Sequence, residues 1–180
     1  MTDWEGIVRT YGPLAFETGW RLLGNVADTE ECVQDALFDA FRIYQRESVG
    51  NWGGLIRRLT SRRAIDRIRS RRPAETLDDD QLWASASDQP EQLAIERELA
   101  QRLRAALGSI PDQQANVFAL HFFGEMSRTE IADAMDINEN AVGVALHKAR
   151  GKLRELLNEG RLSPTKPPRP AVERAEKSDE

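Results

Sequence analysis

Eight arginines fall between Arg57 and Arg72, opposed there only by Asp66. Like charges at that density repel one another unless a polyanion neutralises them, and the guanidinium fork matches phosphate oxygens two at a time. A solvated helix face is the bland alternative, in a chain whose first lysine is Lys148. Phosphate contact is expected along one helix that carries Arg57, Arg58, Arg62, Arg63, Arg67 and Arg69. The segments on either side are acidic: residues 1–41 hold eight acids and two bases, and residues 73–100 hold eight acids and Arg97. Fields act locally, being screened within about 8 Å at physiological salt, so this alternation says more than the net charge of -5.

A second constellation lies further on. Ser127-Arg128-Thr129-Glu130 has the form of a capping box, and Ile131, Ala132 and Met135 give the short helix it opens an inner face. Asp136 tolerates a left-handed turn, Ile137 packs inward and Asn138 is a helix cap. A long helix follows, with Val142, Leu146, Ala149, Leu153 and Leu156 at alternating four- and three-residue steps and His147, Lys148 and Arg150 outside. Short helix, tight turn and longer helix make the sequence form of a DNA-binding helix-turn-helix, a pattern shared with a plain αα-hairpin.

Catalysis and metal binding find no support. One cysteine and two histidines cannot form a tetrahedral zinc set or an internal disulfide. Cys32 reads as core filler, His121 as a packing histidine within Ala119-Leu120-His121-Phe122-Phe123, and Gly50-Asn51-Trp52-Gly53-Gly54 lacks the Lys-Ser/Thr of a phosphate loop. No enzyme activity and no cofactor are expected. The apolar runs are far shorter than the ~18 residues that span a bilayer, and no basic-then-apolar leader opens the chain, so a cytoplasmic protein without membrane contact is expected.

The elements that must position these residues are helical. At 40% apolar residues the chain is too hydrophobic for wholesale disorder, and no alternating Val/Ile/Thr run appears. The fold class is all-α, in two small helical domains. Gly12-Pro13 is expected to divide a first helical segment (Trp4, Ile7, Val8, Tyr11) from a second (Leu14, Phe16, Trp20, Leu22, Leu23). Asp28-Thr29-Glu30-Glu31 is expected to cap a third, whose inner face reads Val33, Leu37, Ala40, Phe41 and Tyr44 and whose outer face is acidic. The arginine helix stops near Arg71-Arg72-Pro73, and Pro90 and Pro111 each open a helix. The predicted organisation is a first domain over 1–73, an acidic linker over 74–89, a second domain over 90–160 and a proline- and charge-rich disordered tail over 161–180.

Taken together, these residues resemble the extracytoplasmic-function (ECF) group of bacterial sigma-70 RNA polymerase sigma factors. Asp28 to Leu37 resembles the region 2 helix that docks on the polymerase clamp; Trp52 to Leu59 and Ala64 to Arg69 resemble the helix that opens and reads the minus-10 element. Ile110-Pro111, Ser127 to Met135 and Ala141 to Leu153 resemble region 4, which binds the minus-35 element. The resemblance implies a factor that directs core RNA polymerase, through its clamp and flap surfaces, to promoter DNA, with an anti-sigma protein as a further candidate partner. It places polymerase contact on Glu31, Gln34, Asp35 and Asp39, and minus-10 contact on Asn51, Trp52 and the six arginines. Minus-35 contact falls on Asn138, Glu139, Asn140, His147, Lys148 and Arg150. The chain departs from the group at Arg62, where asparagine is common, and at Gly143, where a polar or basic residue is common. A free-standing helix-turn-helix regulator of duplex operator DNA is the alternative function.

Overall fold

The computed structural model describes residues 3–71 and 90–162; the expected linker and residues 163–180 of the expected tail lie outside them. The described residues form seven helices and no strand, as the all-α reading requires: α1 (Trp4–Leu23), α2 (Val26–Tyr44), α3 (Trp52–Ser70), α4 (Pro90–Ser109), α5 (Asp112–Phe122), α6 (Arg128–Met135) and α7 (Glu139–Leu162).

Two expected boundaries are corrected. Gly12-Pro13 does not divide the first segment, because α1 runs through both. Pro13 is exposed on the same side as Arg9, so the carbonyl that loses its i+4 partner sits where water can serve it, while Ile7, Ala15, Leu22 and Leu23 are buried opposite. The third segment begins before Asp28. Asn25 is the cap of α2, its side chain accepting from the Asp28 amide at 2.8 Å, and Asp28 becomes the first-turn acid that the positive end of the helix favours.

α1, α2 and α3 pack closely because small residues line their contacts. A Cβ on Gly19 would stand 3.3 Å from Cγ2 of Thr29 and 3.5 Å from Cγ2 of Thr60, so a larger residue there would press on both neighbouring helices. α2 buries Thr29, Cys32, Ala36 and Ala40 at helical spacing, with Val33 and Leu37 half-buried beside them. Burial pushes the Cys32 thiol up to about 12, which suits core filler.

The second half has its own core beneath the helix-turn-helix, where Val117, Leu120, Met126, Ile131, Val142 and Leu146 are buried together. A further apolar cluster crosses between the halves. It joins Leu22, Leu23, Cys32, Ala64 and Ile65 to Leu107, Ile110, Ala115, Ala119, Ala149 and Leu153. Each fully buried Leu or Ile is worth about 1.5–3 kcal/mol relative to exposure, so this cluster couples two units too small to be robust alone. Leu156, expected on the inner face of α7, is 37% exposed, since the packing of that stripe ends at Leu153.

Candidate nucleic-acid interface

The arginine helix begins with a cap. Asn51 Oδ1 accepts from the Gly54 amide at 2.9 Å, so this side chain starts α3. Trp52 is half-buried, its ring 6.4 Å from that of Trp4 and 6.1 Å from that of Tyr44, the position of a core anchor.

Most of the arginines along α3 are engaged within the molecule. Arg63 donates from Nε at 2.8 Å and Nη2 at 2.5 Å to Asp39, a bond that raises the arginine's own affinity for its proton. Arg67 donates from Nε to Asp28 at 2.8 Å and from Nη2 to Glu31, and Arg71 also pairs with Asp28. Towards the second half, Arg58 donates to the Ala134 carbonyl at 3.0 Å. Arg69 donates to the carbonyls of Gly108 at 3.0 Å and Ile110 at 2.8 Å and pairs with Asp112. Arg57 is half-buried with its Nε out of water, and its charge helps lower the Glu130 carboxyl. Arg62 is the exposed member of the set.

On α2 the expected polymerase-facing side chains sort the same way. Glu31, Gln34 and Asp35 are exposed, and Asp39 is half-buried against Arg63. The hydrogen bond and charge of Arg67 hold the Glu31 carboxyl below the ordinary glutamate value. Among these acids stands Phe38, 57% exposed, with the Arg42 guanidinium 4.5 Å from its ring centroid. Sequence reasoning passed over it. The signal was present, since Phe38 falls off the Val33, Leu37, Ala40 stripe and an aromatic at such a position faces out.

The helix-turn-helix is built by short-range bonds. Ser127 Oγ accepts from the Glu130 amide at 3.2 Å, and Glu130 Oε2 accepts from the Ser127 amide at 2.8 Å, completing the box and lowering the Glu130 carboxyl. Asp136 takes the left-handed conformation at φ 53°, ψ 49°. Asn138 Oδ1 accepts from the Ala141 amide at 2.8 Å, so it caps α7, while Glu139 accepts from the Thr129 hydroxyl at 2.8 Å and ties α7 to α6. Asn140, His147, Lys148 and Arg150 are exposed, and the Arg150 guanidinium lies 5.2 Å from the centroid of the Phe122 ring. α7 continues through Gly143, beside which Nη1 of Arg128 lies 3.8 Å from the place a Cβ would take. Exposed Arg128 thus brings a positive charge to the stretch where α7 lacks a side chain, a placement that sequence spacing alone did not reveal.

The site thus combines an arginine-rich helix in a three-helix bundle with a capped helix-turn-helix. Residues 100–153 match the family described as Sigma-70, region 4. The chain is 29% identical over 160 residues to the ECF RNA polymerase sigma factor SigE of Mycolicibacterium smegmatis, covering 87% of this chain and 62% of that one. It is 26% identical over 169 residues to the ECF RNA polymerase sigma factor SigW of Bacillus subtilis, covering 85% and 88% respectively. The fold resembles that of CnrH, solved in complex with the cytosolic domain of CnrY, with a TM-score of 0.57, 18% identity and coverage of 87% and 88%. Residues 100–153 thus match sigma-70 region 4, and over most of its length the chain is similar to ECF RNA polymerase sigma factors. No helix among the described residues is long and apolar enough to cross a membrane.

Proposed function

We propose that the chain acts as a sigma factor, binding core RNA polymerase and directing it to promoter DNA. It does so without catalysis of its own, in the cytoplasm. In this reading residues 1–73 form the unit that meets the clamp and the minus-10 element, residues 74–89 link it to a minus-35 unit over 90–160 that meets the flap, and residues 161–180 form a tail. The supporting observation is the pairing of an arginine-striped α3 with a capped helix-turn-helix inside the span that matches region 4. Single-stranded promoter DNA needs a basic wall that tracks phosphates, and duplex DNA needs a helix with polar side chains at its start and cations further along; α3 and α7 offer these in turn.

Exposed Gln34 and Asp35, with Glu31 and Asp39, form an acidic face complementary to a basic docking surface. An anti-sigma protein is a further partner in this reading, CnrH having been solved with the cytosolic domain of CnrY bound. The test is co-purification with host core polymerase followed by mapping of transcript starts. Discrete new start sites that depend on the chain are the expected result. Nanomolar binding of duplex promoter by the pure chain in ordinary salt, without polymerase, is the signature of the free-standing regulator instead.

A further inference from the structure

α7 turns Val142, Leu146, Ala149 and Leu153 into the protein, where all four are buried. At 3.6 residues per turn, the side away from that stripe carries Asn140, Val144, His147 and Gly151, with Gly143 and Lys148 at its edges. Asn140, His147 and Lys148 are exposed polar groups, as an outward face requires. Val144 breaks the pattern: it is a branched apolar side chain, 45% exposed, in the middle of that face. The glycines break it too, since both lie in the interior of α7, where only proline is less favourable to a helix. Packing among the described residues asks for neither. A Cβ at Gly151 would meet nothing within 4 Å, and one at Gly143 would meet only Nη1 of Arg128, at an ordinary 3.8 Å.

We infer that Val144 is a base-reading residue whose ligand is the C5 methyl of a thymine in the major groove of the minus-35 duplex. This deepens the proposed sigma reading, on which it rests for the placing of α7 in that groove, by giving one contacted base an identity. Thymine alone presents an apolar group there, so an exposed valine gains against it and loses against the donors and acceptors of the other bases. Valine is short, and it reaches a base edge only if the helix backbone comes close, an approach that glycine at 143 and 151 leaves open. Charge names nucleic acid as the occupant of this face. Lys148 follows Val144 by one turn, and Arg128 of α6 lies across the bare backbone at Gly143, where each can hold a phosphate flanking the contact.

The test uses the full chain bound to core polymerase. This complex selects duplexes from a library randomised across the minus-35 region, and each thymine of the enriched sequence is then replaced in turn by deoxyuridine. That replacement removes the methyl and leaves every pairing group in place. One such change should weaken binding about 4-fold, the worth of a single buried carbon group, and should cost nothing in Val144→Ala, a substitution that favours the helix. Val144→Thr keeps one methyl and should keep the sensitivity, whereas Gly143→Leu, which holds α7 off the bases, should lose it with helical content retained. A parent complex indifferent to every thymine methyl overturns the inference, and so does a replacement felt equally by the parent and Val144→Ala. Loss of core polymerase from Val144→Ala in a pull-down without DNA overturns it as well, by placing Val144 against a protein. If no sequence is enriched, or a chain carrying both Asn140→Ala and Lys148→Ala binds the enriched one unchanged, it is the assignment of duplex DNA to α7 that fails, and the reading of Val144 falls with it.

Discussion

α3 and α7 both present basic residues to a candidate nucleic-acid ligand, and they hold them in opposite circumstances. On α3 the guanidinium groups of Arg58, Arg63, Arg67 and Arg69 are bound to carboxylates or carbonyls of the same molecule. On α7, His147 and Lys148 stand in water, and neither is in an ion pair among the described residues. Local charge density therefore ranks the two helices in the reverse order of their immediate availability. Ligand binding to α3 must exchange existing partners for phosphates, so its net gain is smaller per arginine and depends on conformation; α7 needs only to shed counterions.

The largest expected effect tests whether the two regions are energetically coupled. Ile65 is 1% exposed in the cluster that spans both halves, so Ile65→Ala should cost about 2–5 kcal/mol. Urea unfolding followed by tryptophan fluorescence, which reports largely the first half, and by far-ultraviolet circular dichroism should shift together; two separated transitions would break the coupling. Next in size is base discrimination at α7. Asn140→Ala should change preference among minus-35 sequences by about 1–3 kcal/mol for a bidentate contact, with an unaltered salt slope, measured by competition binding of the polymerase complex. An equal loss on every sequence would leave Asn140 without a reading role.

Salt dependence then sharpens the contrast. Arg62→Ala should lower the slope of log affinity on log salt by about 0.7 on single strands, and Lys148→Ala should lower it by about 0.9 on duplex. Arg63→Ala should change the slope less than Arg62→Ala, because Asp39 already occupies it. Equal slopes for the two arginine variants would show that the internal pair opens freely. Ser127→Ala removes a cap that belongs to the helix-turn-helix alone and should cost about 1 kcal/mol in thermal unfolding, without loss of single-strand binding.

The smallest effect is on pH. Glu31 and Glu130 both have folded carboxyl affinities for protons below the ordinary 4.5, the first through Arg67 and the second through Ser127. A depressed value adds stability above the unfolded pKa, and that stability fades as pH falls through the folded one. Stability should therefore be flat from neutrality down to about 4.5 and decline below it, with Glu31→Gln and Glu130→Gln each flattening the decline in chemical denaturation series.

The sequence by itself determined the features whose bonds close within a turn or two of helix. The Ser127–Glu130 box, the left-handed Asp136, the Asn138 cap and the ends of α3 and α5 all depend on residues three or four apart, and they stand where their residue types place them. It erred where a local signal met a longer-range one: burial on the far side of α1 overrode Gly12-Pro13, and Asn25 started α2 before Asp28 could. It registered the arginines as one block and the acids as another. Which arginine is spent on which acid was decided only in three dimensions, by pairs as far apart in sequence as Arg63 with Asp39 and Arg21 with Glu125. A helix carries its charges into the fold by local rules, but whether each meets water, a carboxylate or the end of another helix depends on how whole helices pack, and that packing is set by apolar surfaces drawn from both halves of the chain.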